Sequence, residues 1–242
     1  KGNSVRMLKG SAEKGLHRTN WDLKLPAPDP IDLSEPEFKP PWASDAAGPL
    51  AAPGKYTVEL FVAHNGNLES QGTPQEFMVK PVPTTVEGTD FKAVASFQQK
   101  TSELSRQISS AGSKMGEAGN RIRHMKAALL QTPKAPQSLF GRLDELAKKL
   151  SGLRTGLYGD PIRQKFNEAT APSIQSRVGG VAYGHWETRQ APTETQKQNI
   201  EIAESDFGKF KGNLIDYFKE LENFEAALEA AGAPYTPGRK FE

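Results

Sequence analysis

The strongest constraint in this 242-residue sequence is an apolar stripe near its end. Ile200, Ala203, Phe207, Phe210, Leu214, Tyr217, Leu221, Phe224 and Leu228 follow one another in steps of three and four. That spacing lays the whole series along one side of a single long helix. The ends are marked as well. Thr193 with Gln196 has the spacing of a capping box, and Gly232 followed by Pro234 supplies a stop. A second series, Val94, Phe97, Thr101, Leu104, Ile108, Ala111, Met115, Ala118, Ile122, Met125 and Leu129, keeps the same alternation. Two helices of roughly 40 residues would each extend about 60 Å, at about 1.5 Å per residue. Stripes of that length need apolar partners, and the obvious partner for each is the other, in a long helical hairpin. The pattern argues for architecture ahead of chemistry.

Between the two series the punctuation is clear. Thr89 or Asp90 can cap the first helix, and Pro133 and Pro136 end it. Gly112, Gly116 and Gly119 interrupt it, each costing up to about 1 kcal/mol relative to Ala, so a bend or a close helix contact is expected there. Leu139, Leu143, Leu146, Leu150 and Leu153 mark a shorter helix, closed by Gly156, Gly159 and Pro161. Residues 160–192, rich in Gly and Pro, read as an irregular crossing segment with one helical turn around Gln164 to Glu168. The final helix then completes an antiparallel three-helix arrangement.

Residues 1–80 have β character. Gly2-Asn3 reads as a hairpin turn with Val5 to Leu8 as the returning strand, which predicts that a first strand precedes Lys1. Leu16 to Leu23 has strand character, with Thr19, Trp21 and Leu23 on one face. Pro53-Gly54 fits a type II turn, and Tyr56, Val58, Leu60 and Val62 alternate with Thr57, Glu59 and Phe61. Asn65-Gly66 opens the next turn, and Phe77 with Val79 marks the strand that returns. The stretch from Pro26 to Pro53 is expected to hold no regular element. Four strand candidates fall short of the roughly seven of an immunoglobulin-like sandwich, so the expectation is a sandwich lacking its first strands.

Charge and composition narrow the function classes. Lys plus Arg number 31 and Asp plus Glu 29, too balanced to favour nucleic acid or an anionic membrane. No apolar run approaches the roughly 20 residues of a membrane span. Cysteine is absent, which removes disulfides, thiolate nucleophiles and Cys-based metal sites. The four histidines, His17, His64, His124 and His185, include no helical zinc pair, and no metal or other cofactor is expected. His64 reads as a solvated turn residue and His124 as a helix-flank residue. The sequence contains no nucleophile elbow, phosphate-binding loop or dinucleotide fingerprint. Paired carboxylates such as Asp144-Glu145 read as solvated helix surface.

Two aromatic clusters remain. Trp21, within His17-Arg18-Thr19-Asn20-Trp21-Asp22, alternates with Thr19 and Leu23 and reads as sandwich core rather than a sugar platform. The second cluster is Val181-Ala182-Tyr183-Gly184-His185-Trp186-Glu187. On an exposed loop, Tyr183, His185, Trp186 and Glu187 would suit binding of carbohydrate or a protein partner. The alternative, which carries more weight, has Tyr183 and Trp186 plugging the bundle and fixing the crossing loop.

These residues bear a family likeness. Gly15-Leu16-His17-Arg18-Thr19-Asn20-Trp21-Asp22-Leu23, followed by Ala52-Pro53-Gly54-Lys55-Tyr56-Thr57-Val58, resembles the Ig-like module that ends many secreted bacterial β-propeller proteins of the BNR or sortilin type. Those proteins are often classed as glycosyl hydrolases. Pro172 to Arg177, Tyr183-Gly184-His185-Trp186 and Ala233-Pro234-Tyr235-Thr236-Pro237-Gly238 look like the helical C-terminus of the same proteins. No Asp-box repeat occurs here, so the resemblance implies an accessory region and supplies no catalytic residue.

The expectation is therefore an α+β chain in which a partial Ig-like antiparallel β-sandwich precedes a long antiparallel three-helix bundle. Residues 1–80 form the sandwich module, 81–89 a linker carrying Pro81 and Pro83, and 90–242 the helical part. The resemblance implies a non-catalytic accessory region of an extracytoplasmic protein. It would position or stabilise its parent propeller in cis and offer a surface to carbohydrate or protein. Two competing readings are glycoside hydrolysis through carboxylates near Tyr183–Glu187 and a scaffold self-associating through its long helices.

Overall fold

The computed structural model describes residues 4–31, 33, 38, 40–43, 46–82 and 88–239. The fold is mixed α+β. Among the described residues six short strands come first: β1 (Lys24–Pro26), β2 (Ala47–Leu50), β3 (Gly54–Val58), β4 (Phe61–His64), β5 (Asn67–Ser70) and β6 (Gln75–Val79). Five helices follow: α1 (Phe91–Leu130), α2 (Gln137–Tyr158), α3 (Pro161–Lys165), α4 (Ile174–His185) and α5 (Glu194–Ala230).

Local chemistry sets the helix ends. Asp90 Oδ1 accepts hydrogen bonds from the amides of Lys92 and Ala93, both at 3.0 Å, and starts α1. The Thr193–Gln196 box starts α5, with its reciprocal bonds at 3.2 and 2.9 Å. Gly232, at φ 70°, ends α5 in a left-handed turn in which the Ala233 amide reaches back 3.0 Å to the Leu228 carbonyl. Beyond it the tail folds back. Arg239 binds the Glu229 carboxylate and the Pro234 carbonyl and lies over the Tyr235 ring.

The stripes become the core as their spacing requires. All nine stripe residues of α5 are buried, as are ten of the eleven on α1, with Phe97 partly covered. α1 and α5 do not form a hairpin, however. Lys100 pairs with Glu204 at 2.7 Å and Arg121 with Glu225 at 2.6 Å, the same sequence offset at two levels, so these helices run parallel and in step. The return path belongs to α2 and α4. Tyr158 lies over Gly112 and Arg154 over Gly119, so α2 runs antiparallel to α1. Gln98 meets the far end of α4 at His185. Two helices can bury their stripes only where they touch; four sharing one core bury them along their full length.

The stretch 160–192, expected to be irregular, holds both α3 and α4. Asp160 caps α3 with Pro161 at its first position, where a missing amide costs nothing. In α4 the residues Ile174, Val178, Val181 and His185 form a buried stripe that outweighs its three glycines.

The strands pair in twos: β1 with β2, β3 with β6 and β4 with β5, all antiparallel. Asn65 and Gly66, at φ 48° and 80°, turn the β4–β5 hairpin as their sequence predicts. Several other strand expectations are corrected. Val5 to Leu8 and Leu16 to Leu23 adopt no strand, and Gly54 opens β3 opposite Val79 instead of turning the chain. The alternating run from Tyr56 to Val62 splits at Glu59-Leu60 into two strands. β2 lies inside the stretch expected to lack regular structure, with Gly48 and Pro49 buried at its centre. The Gly2-Asn3 turn and Pro83 lie outside the described residues. Trp21 packs edge-on against Tyr56 and Phe77, with ring centroids at 5.4 and 6.3 Å, and its indole donates to the Lys24 carbonyl at 3.0 Å. Among the described residues no helix is long and apolar enough to cross a membrane.

Candidate functional site

Ser173 Oγ accepts from the Ser176 amide at 3.1 Å and begins α4, whose stripe carries His185 inward at the C-terminal end. The four residues expected to share a binding loop are thereby separated. Tyr183 projects into solvent at 93% exposure. His185, two residues on, is 2% exposed, while Trp186 is half-buried and Glu187 is exposed. Helical geometry explains the split, since positions 183 and 185 lie about 200° apart around the axis.

His185 is the centre of a polar junction. Its Nε2 lies 3.0 Å from the Gln190 carbonyl. A carbonyl only accepts, so Nε2 carries the proton and Nδ1 is bare. Gln98, itself 1% exposed, donates from Nε2 to the carbonyls of His185 at 2.8 Å and Thr188 at 3.2 Å. Phe97 closes over the imidazole edge-on at 5.2 Å. Burial holds the imidazole below its ordinary pKa, partly offset by the bond to Gln190. Gln98 Oε1, His185 Nδ1 and Trp186 Nε1 are all buried with no hydrogen-bond partner among the described residues.

The junction also fastens the strands to the helices. Arg189 donates to the Ala51 carbonyl at 2.8 Å and the Leu50 carbonyl at 3.4 Å, while Glu187 pairs with Lys24 at 2.7 Å. That hydrogen bond raises the Lys24 ammonium above its ordinary pKa. These side chains and their partners come from α1, α4, the α4–α5 connection and the β1–β2 pair. Such an arrangement fixes geometry, and it brings no carboxylate into contact with the imidazole. Of the four, Tyr183 presents an open aromatic face.

Sequence reasoning missed Gln98 and Arg189. Gln98 is detectable as the polar residue flanking Phe97 on the inner side of the α1 stripe. His185 continues the spacing of Ile174, Val178 and Val181, a four-three-four series hidden by the glycines between. Arg189 leaves no signal, because its partners are backbone carbonyls distant in sequence.

A concavity lies between α2 and α5, with a volume of about 540 Å³. Gly152, Gly156, Phe210 and Tyr217 line it, and Lys149 and Glu220 on its wall are paired at 2.6 Å. The Tyr217 hydroxyl has no hydrogen-bond partner among the described residues, and burial pushes its pKa up to about 12. Among the described residues no group of three His, Asp or Glu side chains is placed to hold a metal ion. Comparison with known proteins returns no matching family model, no matching curated protein and no matching solved structure.

Proposed function

We propose that this chain is a non-catalytic accessory region of a larger secreted β-propeller protein of the glycosyl hydrolase type. In this reading residues 1–80 are the partial Ig-like sandwich. Residues 90–242 form the three-helix bundle, with α2 and α4 sharing its middle pass. The bundle is the rigid element, and the strand region is the part that rests against the parent propeller in cis.

The observation carrying this reading is the distribution of apolar surface. The helices close their own core, whereas Val58, Leu60, Phe61, Val62, Leu68 and Met78 all stay exposed on the β3–β6 stretch. Apolar side chains left open on both faces of these ribbons are surface that another body can cover. The resemblance of the Trp21 and Tyr56 segments to the propeller-associated module names that body. The junction at His185 supports the same role, since Arg189 and Glu187 hold the strands at a fixed place on the helices.

Hydrogen exchange on the chain alone and on the longer protein encoded with it tests the proposal. Amides of residues 54–79 should exchange more slowly in the longer protein, with little change in α5. Equal exchange in both would overturn the reading. So would turnover of chromogenic glycosides or sialosides by the chain alone, if Glu187→Gln abolished it.

A further inference from the structure

The β3–β6 pair has an outer edge on each strand, and neither edge is paired among the described residues. Such edges are templates for a further strand. β6 reads Gln75-Glu76-Phe77-Met78-Val79 and runs on into Lys80. Met78 is 56% exposed and Phe77 38%, Val79 is half-buried, and Val82 just beyond the strand is 79% exposed.

We infer that β6 pairs antiparallel with β6 of a second copy of this chain, about a twofold axis at Met78. The product is a four-stranded sheet in the order β3-β6-β6-β3. Register decides the case. With the axis at Met78, Glu76 faces Lys80 of the second copy, and the symmetric pair repeats the match. Phe77 then faces Val79, and Met78 faces itself. From Glu76 to Lys80 every cross-strand pair is complementary, with opposite charges at the two ends and apolar residues between them, and Pro81 meets Gln75 only outside that span.

Neighbouring registers lose these matches. A shift of one residue sets Glu76 against Val79 and Lys80 against Gln75, and reverses the faces. An axis at Phe77 sets Glu76 against Met78 and Lys80 against Pro74. An axis at Val79 sets Phe77 against Pro81.

The faces are consistent as well. Phe77 pairs with Tyr56 inside the chain and Val79 with Gly54, so Phe77 and Val79 extend the face where Trp21 already packs. On the other face Lys55 binds Glu76 at 2.6 Å, both side chains 60% exposed, and Lys80 of the second copy continues that row of alternating charge. The edge of β3 is the poorer candidate. Pro53 before it has no amide to donate, and Glu59 beyond it is held by Ser70 Oγ at 2.7 Å. This inference goes beyond the accessory reading, because it concerns the edge of the ribbon and not the apolar faces.

A contact of about six residues a side falls in the weak class, below about 1,200 Å². Sedimentation equilibrium of the full chain across about 10 to 500 μM should show the mass rising from 26.4 kDa toward twice that value. Lys80→Glu faces Glu76 with a like charge at both ends and should weaken the dimer about tenfold or more. Circular dichroism should be unchanged, since residue 80 lies beyond the strand. Glu76→Lys should weaken it likewise. An equimolar mixture of the two variants should associate again, because the lysine introduced in one then faces the glutamate introduced in the other. A chain that stays monomeric throughout overturns the inference. So does a dimer that ignores both charge reversals, or a mixture that fails to recover.

Discussion

Arg121 and Glu225 meet between α1 and α5 with 11% and 5% of their side chains exposed. Two bonds join them, Nε to Oε1 at 2.9 Å and Nη2 to Oε2 at 2.6 Å. Glu225→Ala leaves the mostly buried Arg121 with only its 3.8 Å contact to Glu117, and should cost about 3 kcal/mol in urea denaturation. Replacing both with apolar residues of similar volume should cost far less. Lys100–Glu204, with both side chains more than a third exposed, should contribute under about 1 kcal/mol. His185 adds a pH term whose sign is fixed. Burial depresses its pKa in the fold below the ordinary 6.5. Its contribution is therefore complete above about pH 6.5 and is lost as pH falls, because the unfolded chain takes up the proton first. Urea midpoints measured at about pH 7.5 and about pH 5 should show a drop that is smaller in His185→Gln than in the parent chain.

At the scale of elements, the three glycines of α1 have three different surroundings. A Cβ on Gly116 meets nothing within 4 Å, so Gly116→Ala should raise stability by about 0.5–1 kcal/mol through helix propensity alone. On Gly119 it would lie 2.8 Å from Arg154 Nη2, which bonds the Met115 carbonyl at 3.2 Å, and on Gly112 it would meet the Tyr158 hydroxyl. Ala at either position should gain less than at 116, and thermal melts of the three variants check the ranking. The expected close contact is thus legible from the glycines, although only two of the three make one. The helices as a whole are legible because spacing, caps and breakers all agree, as at Thr193, Gln196 and Gly232. The order in which they pack is not. A stripe records that a face is buried and says nothing of direction, so the stripes alone suggest a hairpin of α1 and α5, whereas counting the helix between them implies the parallel course that the structure has. The strands are the least legible. Pairs of three to five residues carry too few alternations to fix a boundary, and Ala47–Leu50 forms a strand with Gly and Pro at its centre. In the candidate site, aromatic composition draws attention to Tyr183–Glu187, but the glycines around them mask the helix that divides those residues between inside and outside.

For the molecule as a whole, the parallel course of α1 and α5 has a mechanical consequence. A chain that crosses a bundle an even number of times leaves beside the point where it entered. Here the polypeptide joins the helices at Phe91 and leaves them at Ala230, with the two long helices side by side and pointing the same way. The exit therefore stands about 50 Å from the entrance, at about 1.5 Å per residue. The chain lacks cysteine, so paired spin labels on Lys92→Cys and Ala230→Cys can read that distance directly. A value near 50 Å is expected, against one below about 20 Å if the two ends lay together. Tension applied across these two ends would run along the helix axes and load the core in shear, with no hinge in its path. In that sense the helical half is a strut, holding whatever is joined before α1 at a set remove from whatever is joined after α5.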